Sequence, residues 1–546
     1  MSEFGASATG RRFGCPGCGG GLRYDITAGS MICDRCGEHT PIQRLQDAPA
    51  EQNMMEVTEY HCPQCGAVIY STDTSATGFC SFCGSDVILT GKLGKTRRPS
   101  AIVPFSVTRE ACEAAYREHL KHYRLMPSEL KSTETISHFR PVYVPFWSYH
   151  VQSEGVAELK GTKSYTRGNT RYDEDYDLSM HAEIDQRGIL YDASSAFEDE
   201  TAAMLQHTAD ETVPFHAAYL SGFYAQAADV PQETYEDEAA ATAVRMFMNR
   251  VKEEYAMDSV EMTGDIQNAF GLPNARYEAE MIMMPVWLLA HRQGERVIYT
   301  AVNGSNGRVV CDVPVSNGKL AAVTLALAAV LFLLLHLFLT VKPDLLMVIC
   351  GVLLLITQFQ FSAAQTALNN RRTRAFEPDY SGSRPTFTGP AQALLKRKGD
   401  RVALAGSALQ KGAQLGGILL SVAGIALAGF LFTSGPSLFS RLFNLNGSSG
   451  HMLLAMAMVL ILIIMIVHTV IKVRKGGSGS MIPRILALVA CGAGVFFLLQ
   501  KNYEDLLYYG CAAAMLLAAA WELVTITRAH NEYASRPVPF FQEENT

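Results

Sequence analysis

Four Cys-x-x-Cys stretches decide the N-terminal fold of this chain: Cys15-Pro-Gly-Cys18, Cys33-Asp-Arg-Cys36, Cys62-Pro-Gln-Cys65 and Cys80-Ser-Phe-Cys83. Fourteen residues separate Cys18 from Cys33, fourteen separate Cys65 from Cys80, and the whole pattern repeats after 47 residues. A glycine follows each stretch, which is typical of a tight turn whose backbone N–H groups point back at thiolate sulfurs. The regular spacing indicates two copies of one small unit.

Zinc chemistry explains why the cysteines come in pairs of pairs. Zn²⁺ takes four ligands in a tetrahedron with Zn–S distances of about 2.3 Å, and two Cys-x-x-Cys turns bring four sulfurs to one point. Since cysteine fills all four positions, no open position remains for catalysis. The sequence therefore predicts two structural Zn²⁺ ions in two small β zinc ribbons, at 10–45 and 57–95. The predicted ligands form a first cysteine set, Cys15, Cys18, Cys33 and Cys36, and a second cysteine set, Cys62, Cys65, Cys80 and Cys83.

Two other uses of cysteine fit this pattern less well. A disulfide framework requires an oxidising compartment, and the polar, Gly-rich opening residues do not resemble a secretory signal. A redox Cys-x-x-Cys motif normally stands alone beside a βαβ unit. The other five cysteines are scattered and are expected to be small buried hydrophobes. These are Cys112, Cys311, Cys350, Cys491 and Cys511.

The charge of the chain is divided unevenly along its 546 residues. The formal net charge is −7 overall, but it is −1 over 1–98, −15 over 99–318 and +9 over 319–546. Charged residues make up 18% of the chain, below the roughly 25% of ordinary soluble domains. The composition excludes a collagenous or low-complexity chain and predicts a multi-domain protein with a neutral head, an acidic middle and a basic, apolar tail.

The acidic middle, 100–318, has the pattern of a cytoplasmic α+β domain. Thr108 is a suitable N-cap for a helix that runs to about Leu125, and a second helix is predicted over 234–257. The remaining apolar runs favour strands. The region contains no nucleophile elbow, phosphate loop or His-Glu zinc motif, so we predict that the protein is not an enzyme.

The last part of the chain predicts an all-α region with six transmembrane spans. Apolar runs at 320–341 and 345–361 are long enough for a transmembrane hairpin within 319–362. After a basic cytoplasmic loop at 363–412, four further transmembrane helices are predicted within 413–527, followed by a cytoplasmic tail at 528–546. The four later runs lie at about 413–433, 452–471, 481–499 and 506–527.

The distribution of basic residues predicts the orientation. If the head is cytoplasmic, the inner segments carry 16 Lys and Arg residues and the outer loops carry three, which obeys the positive-inside rule. Reduced cysteines also require a cytoplasmic head. The sequence thus predicts a multi-pass protein of the cell membrane, in contact with the lipid bilayer, with cytoplasmic N- and C-termini.

Several stretches together resemble one bacterial family, the YdjG-like membrane proteins, over roughly residues 10–365. Besides the four Cys-x-x-Cys-Gly turns, the matching stretches are Ile102-Val103-Pro104-Phe105, Tyr143-Val144-Pro145-Phe146-Trp147, Ala218-Tyr219-Leu220-Ser221-Gly222-Phe223-Tyr224, Met284-Pro285-Val286-Trp287-Leu288-Leu289 and the hairpin from Asn303 to Pro314. The resemblance implies tandem TFIIB-type zinc ribbons, with the eight cysteines of the two sets as metal ligands. Members are often labelled as replication or helicase-like proteins, but this chain has no helicase motif.

The resemblance also implies a cytoplasmic-membrane protein. Some relatives are encoded beside PspA-like and SPFH-type membrane-stress proteins and are thought to recruit them. The leading hypothesis is therefore a zinc-ribbon scaffold that docks cytoplasmic partners at the inner membrane face. The last 180 residues of this chain extend beyond the family pattern.

Two alternatives stay open. In the first alternative, the ribbons bind nucleic acid. Proteins that do so usually have a basic face, and the net charge of −1 over 1–98 argues against this partner. A small basic patch is nevertheless present at Lys92, Lys95, Arg97 and Arg98. A transporter or membrane enzyme would use ionisable residues within the spans, of which His336 and Glu522 are the candidates. The sequence leaves an oligomer open.

Overall fold

The computed structural model describes residues 13–45, 54–71, 77–80, 82–88, 90–167, 170–194, 199–205, 208–338, 343–375, 448–474, 482–500 and 505–537. In these ranges the chain forms eighteen strands and ten α-helices. The strands are β1 Leu22–Asp25, β2 Ser30–Cys33, β3 His39–Thr40, β4 Met54–His61, β5 Val68–Ser71, β6 Thr77–Phe79, β7 Asp86–Ile88, β8 Thr90–Arg97, β9 Ala101–Ile102, β10 Arg140–Arg167, β11 Thr170–Asp192, β12 Val213–Pro214, β13 Tyr224–Gln226, β14 Ser259–Met262, β15 Arg276–Gln293, β16 Arg296–Asn303, β17 Val309–Cys311 and β18 Arg536–Pro537.

The helices fall into a short set within the sheet-rich part and a long apolar set after it. They are α1 Arg109–Leu120, α2 Thr133–Ile136, α3 Asp199–Leu205, α4 Glu236–Glu254, α5 Ile266–Ala269, α6 Asn317–Phe338, α7 Pro343–Ala375, α8 Ser448–Arg474, α9 Ile482–Leu499 and α10 Asp505–Tyr533.

One sheet of thirteen strands organises the part of the chain before α6. Its main path is β12-β9-β15-β10-β13-β5-β4-β8, with β11 and β14 paired to β10, and β16 paired to β15, β17 and β18. β13 joins two sequence regions, because it pairs parallel to β10 and antiparallel to β5. Strands from the predicted ranges 57–95 and 100–318 therefore share one sheet, while β1-β2-β3 and β6-β7 form two small sheets of their own.

Both longer helices predicted in the middle region are present but shorter than predicted: α1 ends at Leu120 instead of about Leu125, and α4 spans Glu236–Glu254 instead of 234–257. α1 begins after Thr108, whose hydroxyl accepts a hydrogen bond from the N–H of Ala111 at 3.3 Å, as an N-cap should. α4 packs against the sheet through a stripe that includes Ala240, Val244 and Met248.

β10 and β11 form a hairpin much longer than the core beneath it. They pair antiparallel from Phe146 opposite Asp192 to Arg167 opposite Thr170. The alternating burial of β10 fades toward its C-terminal end, where the side chains are exposed. The distal part of this hairpin, residues 160–167 of β10 and 170–178 of β11, is called the arm below.

The predicted six-span all-α membrane region is wrong for the part of the chain that the structure describes. Among the residues whose side chains the structure describes, two helical stretches are long and apolar enough to cross a membrane: Pro343–Thr366, within α7, and Asp505–Tyr533, which is α10. Leu454–Val470 and Arg484–Leu499 are shorter apolar helical stretches. The span predicted at 413–433 lies outside the described residues.

An apolar run alone does not separate a membrane span from a helix buried in protein, and this is the physical reason for the error. Here the four helices α7 to α10 share one buried core in which Met347, Met458, Cys491 and Met515 are among the most buried residues. The boundaries of the region differ as well, since α7 continues to Ala375, inside the range predicted as a basic loop.

Candidate metal centres

All four Cys-x-x-Cys stretches form the same backbone turn. In each, the N–H of the glycine donates a hydrogen bond to the carbonyl of the first cysteine, at 2.8 to 3.0 Å. These glycines have left-handed φ values of +70° to +76°, which a residue with a side chain adopts only with strain. The glycines are Gly19, Gly37, Gly66 and Gly84. The local sequence thus determines the shape of the turns that carry the sulfurs.

The folding of the chain brings each predicted set of four cysteines together. Within each set the ligand atoms all lie within 4.8 Å of one another. In the first set, Cys15 and Cys36 are 3.7 Å apart between sulfurs, and Cys18 is 3.5 Å from Cys33 and 3.4 Å from Cys36. Four sulfurs at about 2.3 Å from a tetrahedral Zn²⁺ would be about 3.8 Å apart. The two cysteine sets could hold two metal ions, and their donors are consistent with structural zinc.

The second set has the same geometry. The sulfurs of Cys62 and Cys83 are 3.8 Å apart, and those of Cys65 and Cys80 are 3.9 Å apart. Both distances match the edge of the expected tetrahedron. The four sulfurs come from two turns that are separated by fourteen residues. The two turns therefore hold their sulfurs at the spacing that one tetrahedral ion requires.

Backbone and thiol hydrogen bonds shift the pKa values of these cysteines. The backbone hydrogen bond from Cys36 lowers the pKa of Cys33 to about 7. In the second set, the hydrogen bond with Cys65 lowers the pKa of Cys62 to about 6, and the pKa of Cys65 is raised in return. Because a metal binds thiolates, an ion would replace the protons that these sulfurs share.

The second cysteine set is enclosed by the sheet. Its four cysteines are at most 1% exposed. The β15–β16 hairpin covers it, since the Tyr299 hydroxyl donates to the carbonyl of Phe82 and Arg292 Nη1 donates to Ser85 Oγ at 2.8 Å. A Cβ on Gly84 would lie 3.0 Å from the carbonyl oxygen of Ala290, so the turn itself is pressed against β15.

The first cysteine set lies at the surface. Cys36 is exposed and Cys18 is partly exposed. Glu38, which the sequence did not single out, lies beside this set, with its carboxylate 3.8 Å from the sulfur of Cys15. The sequence carries no signal that would have distinguished Glu38 from any other surface carboxylate.

The first set rests on an aromatic surface of the middle region. The N–H of Tyr24 donates to the carbonyl of Ser221 at 3.1 Å. The ring of Tyr24 lies 5.4 Å from that of Tyr219 and 6.1 Å from that of Phe223. We call Tyr219 and Phe223, with the neighbouring His216, the aromatic seat. Phe13 completes the contact, with its ring 5.5 Å from His216.

The chain is similar to a Bacillus protein. The uncharacterized protein YdjG of Bacillus subtilis (strain 168) is 26% identical to it over 331 residues, which cover 59% of this chain and 96% of that protein. No family model matches the chain, and no solved structure matches it. The similarity supports a YdjG-like relationship and assigns no activity, since that relative is itself uncharacterized.

Polar residues meet inside the bundle of α7 to α10, the region that the alternative transporter hypothesis would use. Glu522 and Arg484 are 0% and 1% exposed, and Arg484 is the charged neighbour of the Glu522 carboxylate. Arg484 Nη2 donates to Gln365 Oε1 at 2.9 Å. His336 lies in α6, and its side chain is outside the described part of the structure. The two candidate residues are therefore not brought together in the residues described.

Proposed function

We propose that this protein is a membrane-anchored zinc-ribbon scaffold that docks cytoplasmic partner proteins at the inner face of the cell membrane. The observation that carries the proposal is the closed donor geometry of both cysteine sets, which are packed against one sheet-rich body. An ion held by four thiolates has no position for substrate, so its role is to stabilise the fold. Two structural Zn²⁺ ions are thus the proposed cofactors.

Exposed apolar side chains support attachment to a bilayer. On α10, Leu517 is 72% exposed and Trp521 is 53% exposed, and Leu516 and Val524 are also exposed. Such a surface is unfavourable in water and favourable against lipid acyl chains. α10 and the apolar part of α7 are the proposed anchors, and thiolate sites require the sheet-rich body to face the reducing cytoplasm.

A hydrogen bond and a strand pairing connect the sheet-rich body to the end of α10. Arg296 Nε, on β16, donates to Ser535 Oγ at 2.8 Å, just after the end of α10. β18 then pairs with β16, placing Pro537 opposite Arg296. A docked partner would therefore be held at a defined position relative to the anchor, as a scaffold requires.

The arm is the proposed docking surface. Among the described strands β11 pairs only with β10, so its outer edge presents backbone groups to which another strand could add. The arm exposes Tyr165 and Tyr172, whose rings stack at 5.4 Å, together with Tyr176. Its acidic run, 173–177, lies beside Lys160 and Lys163 of β10, so the arm carries charges of both signs. A partner would bind through strand addition and the exposed tyrosines.

Co-purification from membranes tests the proposal. The full-length protein would be cross-linked in cells, solubilised in detergent and compared with a triple variant, Asp173→Lys, Glu174→Lys and Asp175→Lys. The matched control reverses two exposed charges at the end of α4, Glu253→Lys and Glu254→Lys. We expect PspA-like or SPFH-type membrane-stress proteins of the host, as the family resemblance implies, to co-purify with the wild type and the control and to be lost from the arm variant.

Four results would contradict this function in part or in whole. A partner retained by the arm variant would exclude the arm as its docking surface, and recovery of the bait alone from all three proteins would exclude the scaffold. Salt-sensitive binding of the detergent-solubilised protein to nucleic acid would favour the alternative in which the ribbons bind nucleic acid. Fewer than two zinc ions per chain would remove the structural basis of the proposal.

A further inference from the structure

The two cysteine sets have the same spacing but different access to solvent. In the second set every cysteine is buried, and Tyr299, Arg292 and Ala290 cover it. In the first set Cys36 is exposed. A competing ligand must reach the ion in order to displace a thiolate. The exposed Cys36 gives such a ligand access to the first set, whereas the buried second set gives none.

The segment that carries the first set is small, and its buried side chains, among them Leu22, Met31 and Ile42, pack into the same core as the aromatic seat. Residues 13–45 contain three strands of two to four residues, β1 to β3, in a sheet separate from the large one. A unit of this size cannot bury enough apolar surface to fold alone, and small metal domains of this kind unfold when the ion leaves. Loss of the ion would therefore loosen the whole segment.

The aromatic seat beneath this segment belongs to the main core. The ring of Phe223 stacks on Phe105 at 4.7 Å with an interplanar angle of 11°, and Tyr143 packs edge-on to both rings. These partners are on β10 and just after β9, so they do not depend on the first cysteine set. When residues 13–45 detach, the seat stays in place and its covered apolar face becomes exposed.

We infer that the first cysteine set is an exchangeable metal site whose emptying uncovers the aromatic seat, whereas the second set keeps its ion. This inference rests on the proposed zinc sites. The site would respond to soluble zinc-binding ligands with thiol or nitrogen donors, which compete for Zn²⁺ at the exposed cysteine. Metal exchange would thus convert one part of the scaffold surface between a covered and an open form, without disturbing the large sheet.

Zinc release from the intact protein tests the inference. The full-length zinc-loaded protein in detergent would be mixed with 4-(2-pyridylazo)resorcinol, and the absorbance of the zinc complex followed with time. We expect two ions per chain in total, one released at least roughly tenfold faster than the other. Hydrogen–deuterium exchange over residues 216–224 should accelerate with the fast phase, while exchange over residues 276–303 should not.

Two variants assign the phases. Cys36→Ser should remove the fast phase and leave the slow one, and Cys112→Ser, which changes a buried cysteine outside both sets, should keep both phases. Release of two ions at one rate, or unchanged protection of residues 216–224 after the fast phase, would overturn the inference and leave the zinc sites standing. A total below two ions would instead contradict the proposed function.

Discussion

Asn531, in the last turn of α10, forms two hydrogen bonds with the backbone of Val315. Its Nδ2 donates to the Val315 carbonyl at 2.8 Å, and the Val315 N–H donates to its Oδ1 at 2.7 Å. The side-chain amide acts here like a neighbouring strand, because it supplies one donor and one acceptor in the same plane. Residues 216 positions apart are thereby joined at the point where the sheet-rich body meets the long helices.

Asn531→Ala should remove both hydrogen bonds between α10 and the backbone of Val315. The change leaves the half-buried N–H and carbonyl of Val315 without partners, which costs about 1 to 3 kcal/mol. Amide hydrogen exchange at Val315 should accelerate roughly tenfold or more, since about 1.4 kcal/mol corresponds to a factor of ten. Asn249→Ala, at an exposed position on α4, is the control and should leave exchange at Val315 unchanged. An equal effect of both variants would show that the junction does not depend on Asn531.

Two glycines with nearly equal backbone conformation should differ in their tolerance of alanine. Gly271 has a φ of +63°, and a Cβ there would lie 1.9 Å from the Glu154 carbonyl oxygen. Gly294 has a φ of +64° and open space around it. Gly294→Ala should lower the free energy of unfolding by about 1 kcal/mol from backbone strain, whereas Gly271→Ala should lower it by about 2 to 4 kcal/mol. Denaturant unfolding in detergent measures the difference, and equal midpoints would contradict the close approach of Gly271 to β10.

Arg484 and Glu522 should depend on each other. Arg484 is a charged neighbour of the buried Glu522 carboxylate. Arg484→Met would remove that nearby positive charge and should destabilise the helix bundle. The double variant Arg484→Met, Glu522→Gln removes both charges and should recover much of that loss. Thermal unfolding in the same detergent compares the two. A double variant no more stable than the single one would mean that the two charges do not interact.

The two cysteine sets should differ in what they contribute to stability. Cys36→Ser and Cys80→Ser should each reduce the zinc content from two ions to about one, because three thiolates hold Zn²⁺ less well than four. Only Cys80→Ser should also lower the unfolding temperature of the large sheet, since the β15–β16 hairpin packs over its site. Elemental analysis and thermal unfolding provide the two measurements. Equal losses of stability would contradict the different packing of the two sites.

His291 should make stability depend on pH. Burial lowers the pKa of this side chain, so the folded protein binds fewer protons there than the unfolded chain does. Its contribution is therefore fully present above the ordinary histidine pKa of 6.5 and is lost as the pH falls through the lowered value. Between about pH 7 and pH 5 the wild type should lose more unfolding free energy than His291→Gln. Parallel pH profiles for the two proteins would contradict this prediction.

Part of this fold could be predicted from residues that are close together in the sequence. The turns at the four Cys-x-x-Cys stretches depend on neighbouring residues, and so does the N-cap at Thr108, which is why both could be predicted. The full length of the β10–β11 hairpin could not, because the side chains of its distal part are mostly exposed and show no apolar alternation that would mark the strands. The six-span prediction failed for the described residues because hydropathy does not report which neighbours cover an apolar helix.

The spacing of the eight cysteines determined by itself which sulfurs meet, since each set needs only two local turns and a short connection between them. The tertiary structure alone decided that the sets are unequal. Two repeats with the same ligand spacing occupy different surroundings: the β15–β16 hairpin, some 200 residues away, covers the second, and the first rests on the aromatic seat with Cys36 open to solvent. Access to a site depends on contacts between distant parts of the chain, which no local pattern encodes.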